Sequence, residues 1–136
     1  MEINEKMERE LVRRAVAAKE FSYSPYSHFR VGAALLAESG KIYTGCNIEN
    51  AAYTPTNCAE RTAVFKAVSE GERKFAAIAV AGDAQDYTAP CGVCRQVLLE
   101  FCDTEFWVLM VGKGEDYKKM SLGELLPEAF SRRDLE

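Results

Sequence analysis

Two cysteines three positions apart, Cys91 and Cys94, follow Pro90 in the stretch APCGVCRQVLLEF. Alone, such a pair suits a redox couple, half of a structural zinc site or part of a catalytic one. On a helix, residues three apart share a face, so both sulfurs can reach one ion from the first turn. A third cysteine, Cys58, stands two positions before Glu60 in TNCAERTAVF. Positions i and i+2 diverge on a helix, so an ion serving both Cys58 and Glu60 must lie off the helix end, near its axis. Three thiolates around zinc leave a fourth tetrahedral position for water, the catalytic rather than the structural pattern, and Glu60 is then the base beside that water. The set carries a formal charge of about −1, which two helix N-termini, each worth about half a positive charge, offset. Arg61 and Arg95, each directly after a cluster, add further compensation.

The elements that must position these residues follow from periodicity. Residues 5–21 carry Met7, Leu11, Ala15 and Ala18 at three- and four-residue spacings, one apolar face of an amphipathic helix. Residues 29–37 and 41–48 are β-rich runs joined around Ser39-Gly40, an antiparallel hairpin. Asn57 is the expected N-cap of a helix that stops at Gly71. Buried strands are expected at 75–82 and 105–112 with a helix at 91–101 between them, then a short strand near 117–120 and a helix from Leu122. Both cysteine clusters thus fall at helix starts that follow strands, where α/β folds place ligand sites. The order predicts an α/β fold of three layers, α/β/α, on a mixed five-stranded sheet, with strands separated by single helices as parallel neighbours.

Composition narrows the function classes. The 136 residues, 48% hydrophobic and 28% charged, suit one domain spanning 1–136 with a proper core. No apolar run approaches the roughly 18 residues of a membrane span, and the N-terminal MEINEKMERELVRR lacks the apolar core of a secretion signal, so a cytoplasmic protein is expected. A net charge of −4 with scattered lysines and arginines provides no stripe for a phosphate backbone, which argues against nucleic acid as a partner. An odd count of five cysteines favours metal binding or catalysis over a disulfide framework. Cys46 and Cys102 read as small buried hydrophobes, and His28, the only histidine, is not expected as a ligand.

Cys58-Ala59-Glu60 followed by Pro90-Cys91-x-x-Cys94 is similar to the zinc-dependent cytidine deaminases, in their small three-cysteine branch. YSPYSHFRVGAALL, GCNIENAAY and ELLPEAF agree with that family too, so the resemblance covers almost the whole chain. It implies a cytidine deaminase-like fold and a zinc-dependent hydrolase acting on a cyclic amidine, converting cytidine and deoxycytidine to uridine and deoxyuridine with release of ammonia in pyrimidine salvage. Carried over by residue, Cys58, Cys91 and Cys94 hold one zinc ion per chain and Glu60 shuttles protons. Asn47 and Glu49 bind the ribose hydroxyls, Phe29 packs against the base, the main chain at Ala59 faces it, and Arg61 hydrogen-bonds the thiolates. Family members of this length are homotetramers, in which Ala51, Tyr53 and Phe130 reach a neighbouring subunit's site. Pro55, within Thr54-Pro55-Thr56-Asn57, departs from the pattern and is expected to alter the pocket rim.

The chemistry of the residues agrees with that implication. A carboxylate such as Glu49 accepts hydrogen bonds from sugar hydroxyls, and its charge disfavours a nearby phosphate, which favours a nucleoside over a nucleotide. The nearest rival is a deaminase acting on another aminopyrimidine, such as the nucleoside antibiotic blasticidin S. From other classes come a zinc-stabilised interaction module, which lacks an open ligand position, and a thiol oxidoreductase of Cys91 and Cys94, which needs neither Cys58 nor Glu60.

Overall fold

A computed structural model describes residues 1–136. Helix α1 spans Glu5–Ala18, opened by Asn4, whose Oδ1 accepts the Met7 N–H at 2.9 Å. It presents Leu11, Val12, Ala15 and Ala18 inward and passes into a 3-10 turn at Lys19–Phe21. Strands β1, Val31–Ala37, and β2, Ile42–Cys46, form the expected antiparallel hairpin, with Leu36 opposite Ile42. Then follow α2 (Ala59–Ser69), β3 (Phe75–Gly82), α3 (Gly92–Phe101), β4 (Trp107–Val111), β5 (Tyr117–Ser121) and the single-turn α4 (Leu122–Leu125).

The five strands lie in the order β2-β1-β3-β4-β5, and only β3 and β4 are parallel. This corrects one expectation. Strands β2 and β3, though separated by a single helix, are not neighbours, because β1 lies between them, antiparallel to both. β2 and β3 therefore still run in the same direction, and the chain through α2 crosses over β1. The helices after β2 and β3 consequently start from the same end of the sheet, which brings their N-termini together.

Alternation along the strands separates two apolar layers. Ala33, Leu35, Ile78, Val80, Val108 and Met110 point toward α2 and α3, packing with Ala59, Ala63, Val64 and Leu98. Ala34, Leu36, Ala77, Ala79 and Leu109 point toward Leu11, Val12 and Ala15 of α1 on the other face. The small side chains let the helices come close. A Cβ on Gly45 would lie 2.5 Å from Ala63 N and 2.6 Å from Ala59 O, so α2 rests directly on β2 at its first turns.

One carboxylate is buried in the α1 layer. Glu8 accepts from Tyr117 Oη and Lys119 Nζ, each at 2.7 Å. Burial alone would raise its pKa, but the Lys119 and Tyr117 hydrogen bonds outweigh it and hold the carboxyl below its ordinary range. The Glu8–Lys119 pair ties α1 to the edge strand β5 by charge as well as packing, and Lys119 also stands 4.3 Å from the Trp107 ring centroid. No helix is long and apolar enough to cross a membrane.

Candidate metal centre and active-site cleft

Cys58 caps α2 and Cys91 caps α3, each with extended backbone angles, while Cys94 lies in the first turn of α3. The expected cap, Asn57, is displaced by one position, because its backbone pairs with Ile48 and its Nδ2 donates to Thr62 Oγ1 at 3.1 Å. With both helices starting at one end of the sheet, the three sulfurs converge. Cys58 Sγ is 3.6 Å from Cys91 Sγ, Cys91 Sγ is 3.4 Å from Cys94 Sγ, and all three lie within 4.8 Å of one another. Tetrahedral zinc with Zn–S bonds of about 2.3 Å places its sulfurs about 3.8 Å apart, so the trio fits that ion and leaves one corner free. Cys94 N donates to Cys91 Sγ at 3.4 Å, directing a helix N–H at a ligand sulfur.

The Arg61 guanidinium favours the thiolate at Cys58. Cys58 is lowered to about 5, chiefly by its hydrogen bond with Cys94 and against the effect of burial, with Arg61 and Cys91 adding to the shift. Cys94, the other partner in that hydrogen bond and fully buried, is raised. Arg61 donates to Cys58 Sγ at 3.2 Å. Burial opposes the Arg61 cation, yet its hydrogen bonds to Cys58 and Cys94 raise it further and keep it charged. Arg95 differs from expectation. Its guanidinium donates to Pro90 O at 2.8 Å and Leu125 O at 2.7 Å, bridging backbone and not compensating sulfur.

Glu60 is 4% exposed, beside Cys94, and burial raises it to about 7. It lies within the first turn of α2, off whose end the sulfurs gather, which is where an ion shared with Cys58 had to be. Phe29, Asn47, Cys58, Ala59, Glu60 and Cys91 all line one cleft of about 200 Å³. A larger open groove of about 650 Å³, between Met1 and Trp107, holds no cysteine. Only two buried side-chain polar atoms lack a partner, Arg61 Nε and Thr88 Oγ1, and both residues border this site. Unsatisfied groups concentrated at one place mark it as functional ground. Thr88 went unnoticed in the sequence, and its only signal was its position two residues before Pro90.

Asn47 is buried and holds the wall of the cleft. Its Nδ2 donates to Phe29 O at 2.8 Å, and its Oδ1 accepts from Val31 N at 2.9 Å and from Ser22 Oγ. Glu49 does not line the cleft. Its Oε1 accepts from Tyr26 N at 3.0 Å and Ser27 N at 3.1 Å and its Oε2 from Ser27 Oγ, bonds that keep it ionised below its ordinary range. It secures the loop leading into Phe29, where His28 takes a left-handed φ of 58°. Ala51, Tyr53 and Phe130 are exposed and apart from this chain's own cleft, Tyr53 at 75% and Phe130 at 61%. Pro55 lies in the same exposed turn as Tyr53. Cys46 and Cys102 are half-buried rather than fully so, and burial pushes both thiols up, Cys102 to about 12.

A thiol trio at paired helix ends that fits a metal ion, with a carboxyl beside it too deep to be a solvated charge, is the arrangement of a metal-dependent enzyme. Comparison with known proteins gives the family. Residues 5–110 match the model of the cytidine and deoxycytidylate deaminase zinc-binding region. The chain is 54% identical over 125 residues to a cytidine deaminase of Sporosarcina psychrophila, covering 92% of each. It is 49% identical to that of Halalkalibacterium halodurans, over 92% of this chain and 95% of the relative. The crystal structure of cytidine deaminase from Burkholderia pseudomallei superposes with a TM-score of 0.87 at 46% identity, over 94% of this chain and 100% of that one. The chain belongs to the cytidine deaminase family.

Proposed function

We propose that this chain catalyses the zinc-dependent hydrolysis of cytidine and deoxycytidine to uridine and deoxyuridine with release of ammonia. One observation carries the reading: the Glu60 carboxyl is buried next to three sulfurs that fit zinc, in a cleft walled by Phe29. Held by Cys58, Cys91 and Cys94, zinc supplies the Lewis acidity that makes a water reactive near neutral pH. Glu60 takes a proton from that water and delivers it to the pyrimidine, and later protonates the departing amino group. Oxygen ends on C4, and of the two water protons one ends on ring N3 and one on ammonia. One carboxyl performs both transfers because it finishes in the state in which it began.

Phe29 packs against the base, and the main chain at Ala59, which also lines the cleft, faces it. Asn47 retains one Nδ2 proton after its bond to Phe29, and Glu49 retains acceptor capacity on Oε2 beyond its bonds from Tyr26 and Ser27, so both can serve ribose hydroxyls. The Glu49 charge disfavours a phosphate, which supports a nucleoside substrate, and the net charge of −4 argues against nucleic acid. Arg61 offsets thiolate charge through its bond to Cys58.

The same reading takes residues 1–136 as one deaminase domain, acting in the cytoplasm as a homotetramer. A cleft of about 200 Å³ admits little more than a pyrimidine ring, and ligand pockets usually enclose about 300–1,000 Å³. Ala51, Tyr53 and Phe130, exposed and off the cleft, are then available to close a neighbour's site. Exposed Phe65 and Val93, on a hollow between α2 and α3, offer apolar surface for that contact. In solution the particle mass is expected at four times the 15.1 kDa of the chain, and a fully active monomer contradicts this.

The test of the activity is ultraviolet absorbance with cytidine and with deoxycytidine, alongside metal analysis. About one zinc per chain, loss of the cytosine band and release of ammonia are expected. A zinc-loaded protein inert toward both nucleosides overturns the assignment.

A further inference from the structure

We propose that Arg95 is a positioning residue for the metal centre: it holds Cys91 in place by tying the carbonyl that precedes it to the end of α4. The inference rests on the reading of Cys58, Cys91 and Cys94 as zinc ligands.

The three cysteines are not held alike. Cys94 is fully buried, and Cys58 is half-buried and held by Arg61, whereas Cys91 is exposed, as are Gly92 and Val93 after it. Hydrogen bonds to the backbone around Cys91 must do for it what burial does for Cys94. The first α3 ladder bond runs from Arg95 N to Cys91 O at 3.0 Å, which leaves Pro90 O outside the helix. Pro90 is fully buried, and a buried carbonyl without a partner costs about 1–3 kcal/mol. Arg95 Nε supplies that partner at 2.8 Å. The same residue thus grips the backbone on both sides of Cys91, Pro90 O with its side chain and Cys91 O with its own N–H. That fixes the plane of the Pro90–Cys91 peptide, and with it the direction in which the Cys91 side chain leaves the backbone.

The other arm of the fork is anchored in a distant part of the chain. Arg95 Nη1 donates at 2.7 Å to Leu125 O, a carbonyl at the last turn of α4 with no helical partner ahead of it. Gln96 extends the tie, its Nε2 donating to Phe130 O at 2.8 Å. Two donors set at a fixed angle on a planar group match two carbonyls from separate segments, a task for guanidinium and not for a single ammonium. The segment after α4 is therefore part of what keeps Cys91 aimed at the metal.

The test compares Arg95→Met and Arg95→Lys with wild type and with Val12→Ala, which removes buried methyls on the α1 face of the sheet. Each zinc-loaded protein is mixed with the chelator 4-(2-pyridylazo)resorcinol well below its Tm, and zinc release is followed by colour. Both Arg95 variants are expected to release zinc at least tenfold faster than wild type, while Val12→Ala lowers Tm and releases at the wild-type rate. If Arg95→Met does not fold, Arg95→Lys alone decides, with cobalt(II) substituted and its thiolate charge-transfer band expected to fall. Release from the Arg95 variants no faster than from Val12→Ala overturns the positioning role. Wild type that binds no zinc instead removes the ligand reading on which the proposal stands.

Discussion

The Cys58 and Cys91 sulfurs lie 3.6 Å apart although 33 positions separate the two residues. The separation is bridged by topology. β2 and β3 run in the same direction with β1 between them, so the helices that follow begin at one end of the sheet with a cysteine capping each. Whatever moves the start of α2 or α3 moves a ligand, and this gives the centre consequences far from the sulfurs.

Gly45 is the first. A Cβ there would meet the backbone of Ala63 and Ala59 at 2.5 and 2.6 Å, and backbone cannot yield as a flexible side chain can. Gly45→Ala forces α2 off β2, which is expected to cost about 1–3 kcal/mol of stability. Since Cys58 and Glu60 open that helix, turnover and zinc retention fall as well. Thermal unfolding with zinc analysis checks this, and a variant of wild-type stability and activity contradicts the close packing.

Asn47 is the second. Asn47→Asp keeps an acceptor for Val31 N and Ser22 but cannot donate to Phe29 O, so the wall of the cleft loses its tie. The KM for cytidine is expected to rise roughly tenfold or more, equivalent to about 1.4 kcal/mol, with zinc content unchanged. Steady-state kinetics beside metal analysis decide; a change in zinc content with an unchanged KM is the contrary result.

Glu8 gives the pH dependence. Its folded pKa lies below the ordinary 4.5, so its contribution is complete above that value and is lost as the pH falls through the folded pKa. Glu8→Gln is expected to lower stability by about 1–3 kcal/mol at pH 7, because Lys119 loses its charged partner. The gap to wild type closes below the ordinary carboxylate range, where wild type loses the same interaction. Urea midpoints measured from pH 7 to pH 3 test this, and a gap that stays constant contradicts it.

The convergence of Cys58 with Cys91 and Cys94 was legible because both clusters fall at helix starts that follow strands, while their joint role came from the resemblance to the deaminases. The layers were legible because apolar periodicity switches between helical and strand spacing. Strand order was less so: nothing in the β1–β2 hairpin says which of its members takes β3 as a neighbour, and that choice belongs to packing across the sheet. The α2 cap was read as Asn57 on capping preference, but pairing with Ile48 occupies that residue and a thiol takes the position. Arg95 was read from its charge, while its role is set by two carbonyls, one of them 30 positions away. Backbone acceptors carry no signature in side-chain spelling, and the same holds for the bonds that Asn47 and Glu49 make.

In the proposed reaction Glu60 moves protons and holds no metal. Glu60→Gln keeps the size of the buried side chain and removes its ability to take and return a proton. Zinc content and cytidine turnover measured on the same preparation test the claim most directly. About one zinc per chain with turnover lowered about 10²–10⁴-fold is the expected result. Loss of zinc in the variant, or turnover at the wild-type rate, contradicts the account.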